Sequence, residues 1–139
     1  MRTRSESGVA PLVFFLDRNL GRYTIAEALR EAGADVEIHD DHFPNDAKDE
    51  EWLREVARRG WVILTKDKRI RYRSNERTAL MQADGRAFVI IAQGDISAHI
   101  VAEILVRALP SIRRFVTRHT PPFIAKVTRS SKVSLWVDR

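Results

Sequence analysis

The sequence contains no cysteine. Disulfide frameworks, thiolate zinc sites, iron–sulfur clusters and cysteine nucleophiles are therefore excluded. No apolar run approaches the roughly 20 residues that a membrane-spanning helix needs, and the first eight residues lack the apolar core of a signal peptide. These absences predict a cytoplasmic protein with no membrane partner, in which residues 1–8 form a short lead-in.

Glycine is also scarce, because the chain has only six and they are scattered singly. The spacing excludes a P-loop, a dinucleotide-binding fingerprint and a nucleophile elbow. The four histidines are not spaced as a metal-binding pair. His39 and His42 lie in an acidic stretch where they could assist a site, but the plainer interpretation as loop histidines is favoured.

The composition is that of a folded chain. Of the 139 residues, 44% are hydrophobic and 31% are charged, which is typical of one globular domain. We predict a single domain over residues 1–139, with a core over about residues 10–110. A basic helix and a hairpin are expected over about residues 111–139.

The charge is unevenly distributed along the chain, although the net charge is only +5. Residues 35–51 contain eight acids and one base, whereas residues 54–77 contain nine bases and three acids. The tail from residue 107 onward contains eight bases and one acid. This layout suits a protein that holds a divalent cation beside a phosphodiester backbone, or it marks solvated helix faces.

Short apolar runs alternate with amphipathic segments along most of the chain. This alternation predicts an α/β fold with a mostly parallel sheet and helices on both faces. A C-terminal pair of runs separated by a short polar turn predicts an antiparallel hairpin at or near the sheet edge. The predicted strands cover residues 13–16, 35–38, 61–65, 87–92, 123–127 and 133–137. The predicted helices cover residues 23–32, 46–59 and 97–109, and Pro110 closes the last of them. Residues 69–83 are predicted to be helical or irregular.

Two aspartates directly follow predicted strands. Asp17 comes directly after the run Val-Phe-Phe-Leu, and Asp67 comes directly after the run Val-Ile-Leu-Thr-Lys. Because the carboxyl ends of parallel strands lie at one edge of a sheet, these two carboxylates are expected to converge where α/β proteins bind ligands. The alternative is that each aspartate only caps a helix.

A third aspartate stands on the apolar face of a predicted helix. Asp49 precedes Leu53 by four residues and Val56 by seven, so it shares their face. An acid on this face is unusual for a solvated charge, and the alternative is a capping role at a helix that starts later.

Three inward carboxylates would repel one another unless a cation joined them. Oxygen ligands of this kind suit Mg²⁺ or Mn²⁺, and such a site supports phosphoryl transfer. The basic residues around the second aspartate are then candidates for binding a phosphodiester substrate. They are Lys66, Lys68, Arg69, Arg71 and Arg73.

Three stretches carry a resemblance to a known family. They read Phe-Leu-Asp-Arg-Asn-Leu at 15–20, Asp-Glu-Glu-Trp-Leu at 49–53, and Arg-Arg-Gly-Trp-Val-Ile-Leu-Thr-Lys-Asp at 58–67. Together they resemble the PIN-like nucleases, most closely the VapC-type toxins of toxin–antitoxin pairs. The motifs span roughly residues 12–91, and the tail is similar to that branch as well.

The resemblance implies a three-layer α/β/α fold and a metal-dependent endoribonuclease that uses Mg²⁺ or Mn²⁺. It also implies RNA as substrate, a cognate antitoxin as partner and a homodimer as one oligomeric form. The carboxylates of Asp17, Asp49 and Asp67 match the catalytic and metal-binding acids. Asn19 and Thr65 match the supporting polar positions.

The resemblance leaves the fourth acid of many such nucleases unassigned. Asp40, Asp41 and Glu27 are the candidates, and none of them lies in a clear motif. Two other functions stay open. One is a catalytically silent PIN-like module that binds RNA or protein, and the other is a receiver-like module with Asp17 as phosphoacceptor, although residues 90–93 lack the lysine expected there.

Overall fold

The computed structural model describes residues 12–137, so the predicted lead-in over residues 1–8 lies outside the described part. Strands and helices alternate as far as the fourth helix, and two strands follow it. The elements are β1 (Val13–Leu16), α1 (Thr24–Glu31), β2 (Asp35–Ile38), α2 (Asp49–Arg58), β3 (Val62–Thr65), α3 (Ser74–Gln82), β4 (Arg86–Ile91), α4 (Ala98–Arg118), β5 (Phe123–Thr128) and β6 (Val133–Val137).

The six strands form one sheet in the order β2-β1-β3-β4-β5-β6. The first five strands in the chain pair in parallel, and β6 adds to β5 in the antiparallel direction. β1 lies between β2 and β3, where Phe14 is opposite both Val36 and Val62. The carboxyl ends of β1 and β3 are therefore neighbours, which brings the residues that follow them together.

Side chains alternate across this sheet and build two hydrophobic cores. Phe14 and Leu16 point into a core formed with α1 and α4, which we call the α1/α4 layer. Phe15 and Ile63 point the other way, into a core with α2 and α3 that we call the α2/α3 layer. The expected α/β/α architecture with a mostly parallel sheet and a C-terminal hairpin at its edge is confirmed.

The predicted end of a helix at Pro110 was wrong. α4 runs from Ala98 to Arg118 with Pro110 inside it. A proline in a helix interior costs about 3 kcal/mol. Ile112 and Phe115, two and five residues beyond it, are buried in the α1/α4 layer, and each buried side chain of this size contributes roughly 1.5–3 kcal/mol. The burial outweighs the cost, while Pro110 itself is exposed.

Two other segments differ from the expected boundaries. α2 begins at Asp49, three residues later than predicted, so this aspartate is the first helical residue. The segment over 69–83 divides into a short 3₁₀ turn, Lys68–Arg71, and the regular helix α3. Within residues 12–137, none of the helices has both the length and the apolar character that crossing a membrane requires.

Candidate active site

The site begins at the adjoining ends of β1 and β3. Asp17 leaves β1 and its backbone N–H donates to the Leu64 carbonyl at 3.0 Å, which extends the pairing of the two strands by one bond. Thr65, the last residue of β3, is only 1% exposed. Its hydroxyl donates to Asp17 Oδ2 at 2.7 Å, so the two strand ends are joined through side chains as well.

The Thr65 hydroxyl uses its full hydrogen-bonding capacity here. A hydroxyl has one donor and two acceptor positions. Thr65 Oγ1 donates to Asp17 and accepts from Asn19 Nδ2 at 3.1 Å and from the Asp67 backbone N–H at 3.0 Å. Asn19 Nδ2 also donates to Asp17 Oδ2 at 3.2 Å, and Asn19 Oδ1 accepts from the Lys66 N–H at 3.2 Å. One hydroxyl thus joins the carboxylate of Asp17 to the backbone of Asp67.

Asp49 enters the site from α2. It is half-buried, and its Oδ1 accepts a hydrogen bond from the Trp52 indole N–H at 2.9 Å. No side chain caps the helix, since Lys48 occupies the cap position without a capping bond. The capping alternative is therefore wrong for Asp49. Because Trp52 is 2% exposed, the carboxylate is held by a rigid core side chain.

A second helix brings a further acid that the sequence analysis missed. Glu76, in the first turn of α3, is 9% exposed. One carboxylate oxygen from each of Asp49, Asp67 and Glu76 lies within 4.8 Å of the others. Asp67 also accepts from the Arg69 backbone N–H at 3.0 Å, so its helix-capping role and its place in the cluster coexist.

The signal that could have identified Glu76 is its spacing. Glu76 precedes Ala79 by three residues and Leu80 by four, and residues three and four apart lie on one face of a helix, as Asp49 and Leu53 do on α2. The sequence analysis counts Glu76 only among the three acids of residues 54–77 and gives it no role. The three open candidates for a fourth acid lie outside the cluster: Asp40 pairs with Arg22 at 3.3 Å, and Asp41 and Glu27 are exposed.

The electrostatics of the site reflect crowded, buried acids. Burial is the main cause that raises the pKa of Asp17 to about 6; the Thr65 hydrogen bond opposes the rise, and the charges of Asp49 and Asp67 add to it. Burial likewise raises the pKa of Glu76, while its hydrogen bond from Arg73 opposes this. Asp17 and Glu76 therefore resist ionisation mainly because they are buried, and the neighbouring negative charges add to this resistance.

This donor set fits a hard divalent cation. Carboxylate oxygens are the ligands that Mg²⁺ and Mn²⁺ prefer. Those of Asp49, Asp67 and Glu76 lie within 4.8 Å of one another, and Asp17 is not in this cluster but is close enough to feel the charges of Asp49 and Asp67. Among the described residues, no lysine or arginine forms an ion pair with Asp17 or Asp49. A bound cation would offset the repulsion among these acids and the cost of burying their charges. The acids that would hold it are Asp17, Asp49, Asp67 and Glu76.

The five predicted substrate-binding cations divide into two groups. The three arginines have partners within the protein: Arg69 contacts Asp67 at 2.9 Å, Arg73 contacts Glu76 at 3.3 Å, and the Arg71 guanidinium lies 4.2 Å from the Trp136 ring centre. Lys66 and Lys68 are exposed and have no ion pair within residues 12–137. The lysines are therefore the cations most available to a ligand.

The interpretation of His39 as a loop histidine was wrong. It is 1% exposed and packs against Phe15, Phe43 and Trp52, with the Trp52 ring edge-on at a centroid distance of 5.4 Å. Neither ring nitrogen has a hydrogen-bond partner among the described residues. Burial lowers the pKa of His39, with the charge of Arg18 as a smaller cause, which favours the neutral form of the ring. It supports the tryptophan that holds Asp49.

Comparison with known protein families identifies the family of this chain. The sequence model of a family described as "PIN like domain" matches residues 12–92. The chain belongs to the PIN-like domain family. The matched region spans β1 to β4 and includes all four acids of the site, which confirms the resemblance drawn from the sequence.

The PIN-like chain is also similar to a curated protein over most of its length. It is 31% identical over 123 residues to "Putative ribonuclease VapC45" of Mycobacterium tuberculosis (strain ATCC 25618 / H37Rv). The match covers 86% of this chain and 88% of that protein. No solved structure gives a significant match.

Proposed function

We propose that this chain is a metal-dependent endoribonuclease that hydrolyses RNA phosphodiester bonds, and that it is the toxin of a type II toxin–antitoxin pair. The observation that carries the proposal is the convergence of Asp49, Asp67 and Glu76 beside the Asp17–Thr65 pair. The PIN-like family and the relative named as a ribonuclease supply the class of reaction.

The acids Asp17, Asp49, Asp67 and Glu76 would hold Mg²⁺ or Mn²⁺. When bound, such a cation supplies a Lewis acid that activates water and offsets charge developing on the phosphate. The protein's own contribution is positioning. Thr65 and Asn19 orient Asp17, and Trp52 orients Asp49, so the carboxylates are arranged before the substrate arrives.

The exposed Lys66 and Lys68 would position the substrate by contacting the phosphates of the RNA backbone. Lys66 and Lys68 flank Asp67 in the chain and are exposed beside the acids. Ammonium groups that contact phosphates provide sequence-independent affinity that weakens as salt rises. We therefore expect the RNA backbone to cross the carboxyl edge of β3.

The test is cleavage of a mixed pool of single-stranded and structured RNA by purified protein with Mn²⁺, with Mg²⁺ and with EDTA. Asp17→Asn is the inactive variant, and Asp84→Asn, an exposed aspartate after α3, is the matched control. Cleavage that needs metal, survives in the control and disappears in Asp17→Asn supports the proposal. RNA binding with no cleavage under either metal would favour the catalytically silent module instead.

The toxin role has its own test. Induced expression should arrest growth of a bacterial host, and Asp17→Asn should relieve the arrest. A protein encoded beside the gene should restore growth and copurify with the chain. Unimpaired growth with active protein present in the cells would contradict the toxin role while leaving the nuclease proposal intact.

A further inference from the structure

A cleft of about 440 Å³ lies next to the acidic site, at the carboxyl edge of β3 and β4. Its volume is within the roughly 300–1,000 Å³ range of pockets that take small molecules. One wall carries the two free lysines. The other walls are apolar except for one acid, and the lining includes Lys66, Lys68, Ile90, Ala92, Asp95 and Ile96.

The charged side chains of this cleft form no ion pairs within the described residues 12–137. Asp95 is exposed, and within residues 12–137 its side chain has no hydrogen bond and no ion pair, including to Lys66 or Lys68. Two ammonium groups and a carboxylate therefore share one cleft without neutralising one another directly. Such an arrangement suits a ligand that carries both an anionic part and a hydrogen-bond donor edge.

A nucleotide in an RNA strand has both parts. Its phosphate matches Lys66 and Lys68, which flank Asp67 of the acidic site in the chain. Its base matches the apolar wall formed by the half-buried Ala92 and Ile96, because bases of single strands are splayed out and bound against apolar or aromatic surfaces. The cleft is thus placed for the nucleotide next to the phosphate that would lie at the acids.

A carboxylate such as that of Asp95 can distinguish the four bases by the donors and acceptors on their edges. A carboxylate offers two adjacent acceptors and no donor. Guanine has two adjacent donors, N1–H and the N2 amino group, on its Watson–Crick edge. Adenine and cytosine place an acceptor beside their amino donor, and uracil flanks its N3–H with two carbonyl oxygens, so each would direct a lone pair at the second carboxylate oxygen.

We infer that this cleft binds a guanine nucleotide of the RNA strand, with Lys66 and Lys68 on its phosphate and Asp95 on its Watson–Crick edge. The inference rests on the proposed nuclease function and gives it a sequence preference.

The experiment uses short single-stranded RNAs that are identical except at one position, which is guanosine, inosine or adenosine. Inosine lacks the N2 amino group and so removes one of the two donors. We expect the guanosine RNA to be cleaved beside that position with a kcat/KM about tenfold or more above the inosine RNA.

The decisive variant is Asp95→Asn, because an amide offers one acceptor and one donor. It should lose the guanosine preference and favour adenosine, whose edge has the complementary pattern. Asp84→Asn, an equally exposed aspartate before the opposite end of β4, should keep the wild-type preference. Equal cleavage of all three RNAs, or an unchanged preference in Asp95→Asn, would overturn the guanine site and leave the nuclease proposal standing.

A binding assay separates the two proposals if no RNA is cleaved. Fluorescence anisotropy of the same RNAs should show the guanosine preference in the wild type and its loss in Asp95→Asn, even without turnover. Equal affinity for the three RNAs would overturn the site. Free 5′-GMP that binds as tightly as the RNA would overturn the assignment to a nucleic-acid strand.

Discussion

The two layers on either side of the sheet have different contents. The buried cluster of the α1/α4 layer consists of aliphatic and phenylalanine side chains throughout. The α2/α3 layer contains Trp52, packs against the buried His39, and carries Asp49 and Glu76 on the helices that form it. The α1/α4 layer therefore stabilises the sheet, whereas the α2/α3 layer also orients the acids at the edge of the sheet.

The largest effect should come from the acid of the α2/α3 layer that the sequence analysis missed. Glu76→Gln should lower metal-dependent RNA cleavage about 1,000-fold, because several kcal/mol of charge stabilisation depend on the acids. The melting temperature without metal should not fall, since burial and neighbouring acids already raise the pKa of Glu76. The measurements are cleavage rates and thermal unfolding with EDTA.

The matched control is Glu51→Gln, an exposed glutamate on α2, which should cleave like the wild type. Full activity in Glu76→Gln would remove this residue from the site and reopen the assignment of the fourth acid.

A core truncation in the α1/α4 layer should act on stability alone. Leu105 is fully buried in that layer, and Leu105→Ala should lower the free energy of unfolding by about 3 kcal/mol. Cleavage per folded molecule, measured well below the melting temperature, should stay within about twofold of the wild type. A large loss of turnover in folded protein would mean that both layers position the site.

The indole that holds Asp49 should give an intermediate effect. Trp52→Phe keeps most of the buried ring but removes the donor to Asp49 Oδ1. Loss of a hydrogen bond that orients a metal ligand typically lowers metal affinity about 10- to 100-fold. Calorimetric titration with Mn²⁺ would measure this loss.

Trp61→Phe, which alters a half-buried indole in the same layer with no hydrogen bond to the acids, is the control. Equal metal affinity in the two variants would show that the indole N–H of Trp52 does not orient Asp49.

The smallest effect concerns pH. The pKa of His39 is lowered by burial, the Arg18 charge lowers it further, and Asp40 and Asp49 oppose this. Below about pH 6.5 the unfolded chain therefore binds a proton at His39 more readily than the folded chain does. The free energy of unfolding consequently falls as the pH drops through that value. One such group changes the free energy of unfolding by at most about 1.4 kcal/mol per pH unit.

His39→Leu should make the pH dependence of stability between pH 5 and 7 shallower, as measured by urea unfolding. His99→Leu, at an exposed position of α4, should leave it unchanged. An unaltered slope in His39→Leu would mean that the buried ring takes up a proton in the folded protein.

Several features of the fold and site could be predicted because they depend on local patterns. Asp17 and Asp67 follow buried strands, and parallel strands bring their carboxyl ends to one edge. Asp49 could be placed by its spacing to Leu53 and Val56. The unbroken course of α4 through Pro110 could not, because the sequence predicts separate helices on its two sides, whereas burial against the sheet keeps them as one helix.

The sequence by itself determined the order of strands and helices, the parallel sheet, the absence of thiol chemistry and the acids at the strand ends, since these follow from periodicity and composition. Tertiary structure alone decided that Glu76 meets Asp49 and Asp67, and that the arginines are engaged while Lys66 and Lys68 are free. The reason is physical: contacts between side chains of different helices depend on how the helices pack, and residues far apart in the chain set that packing.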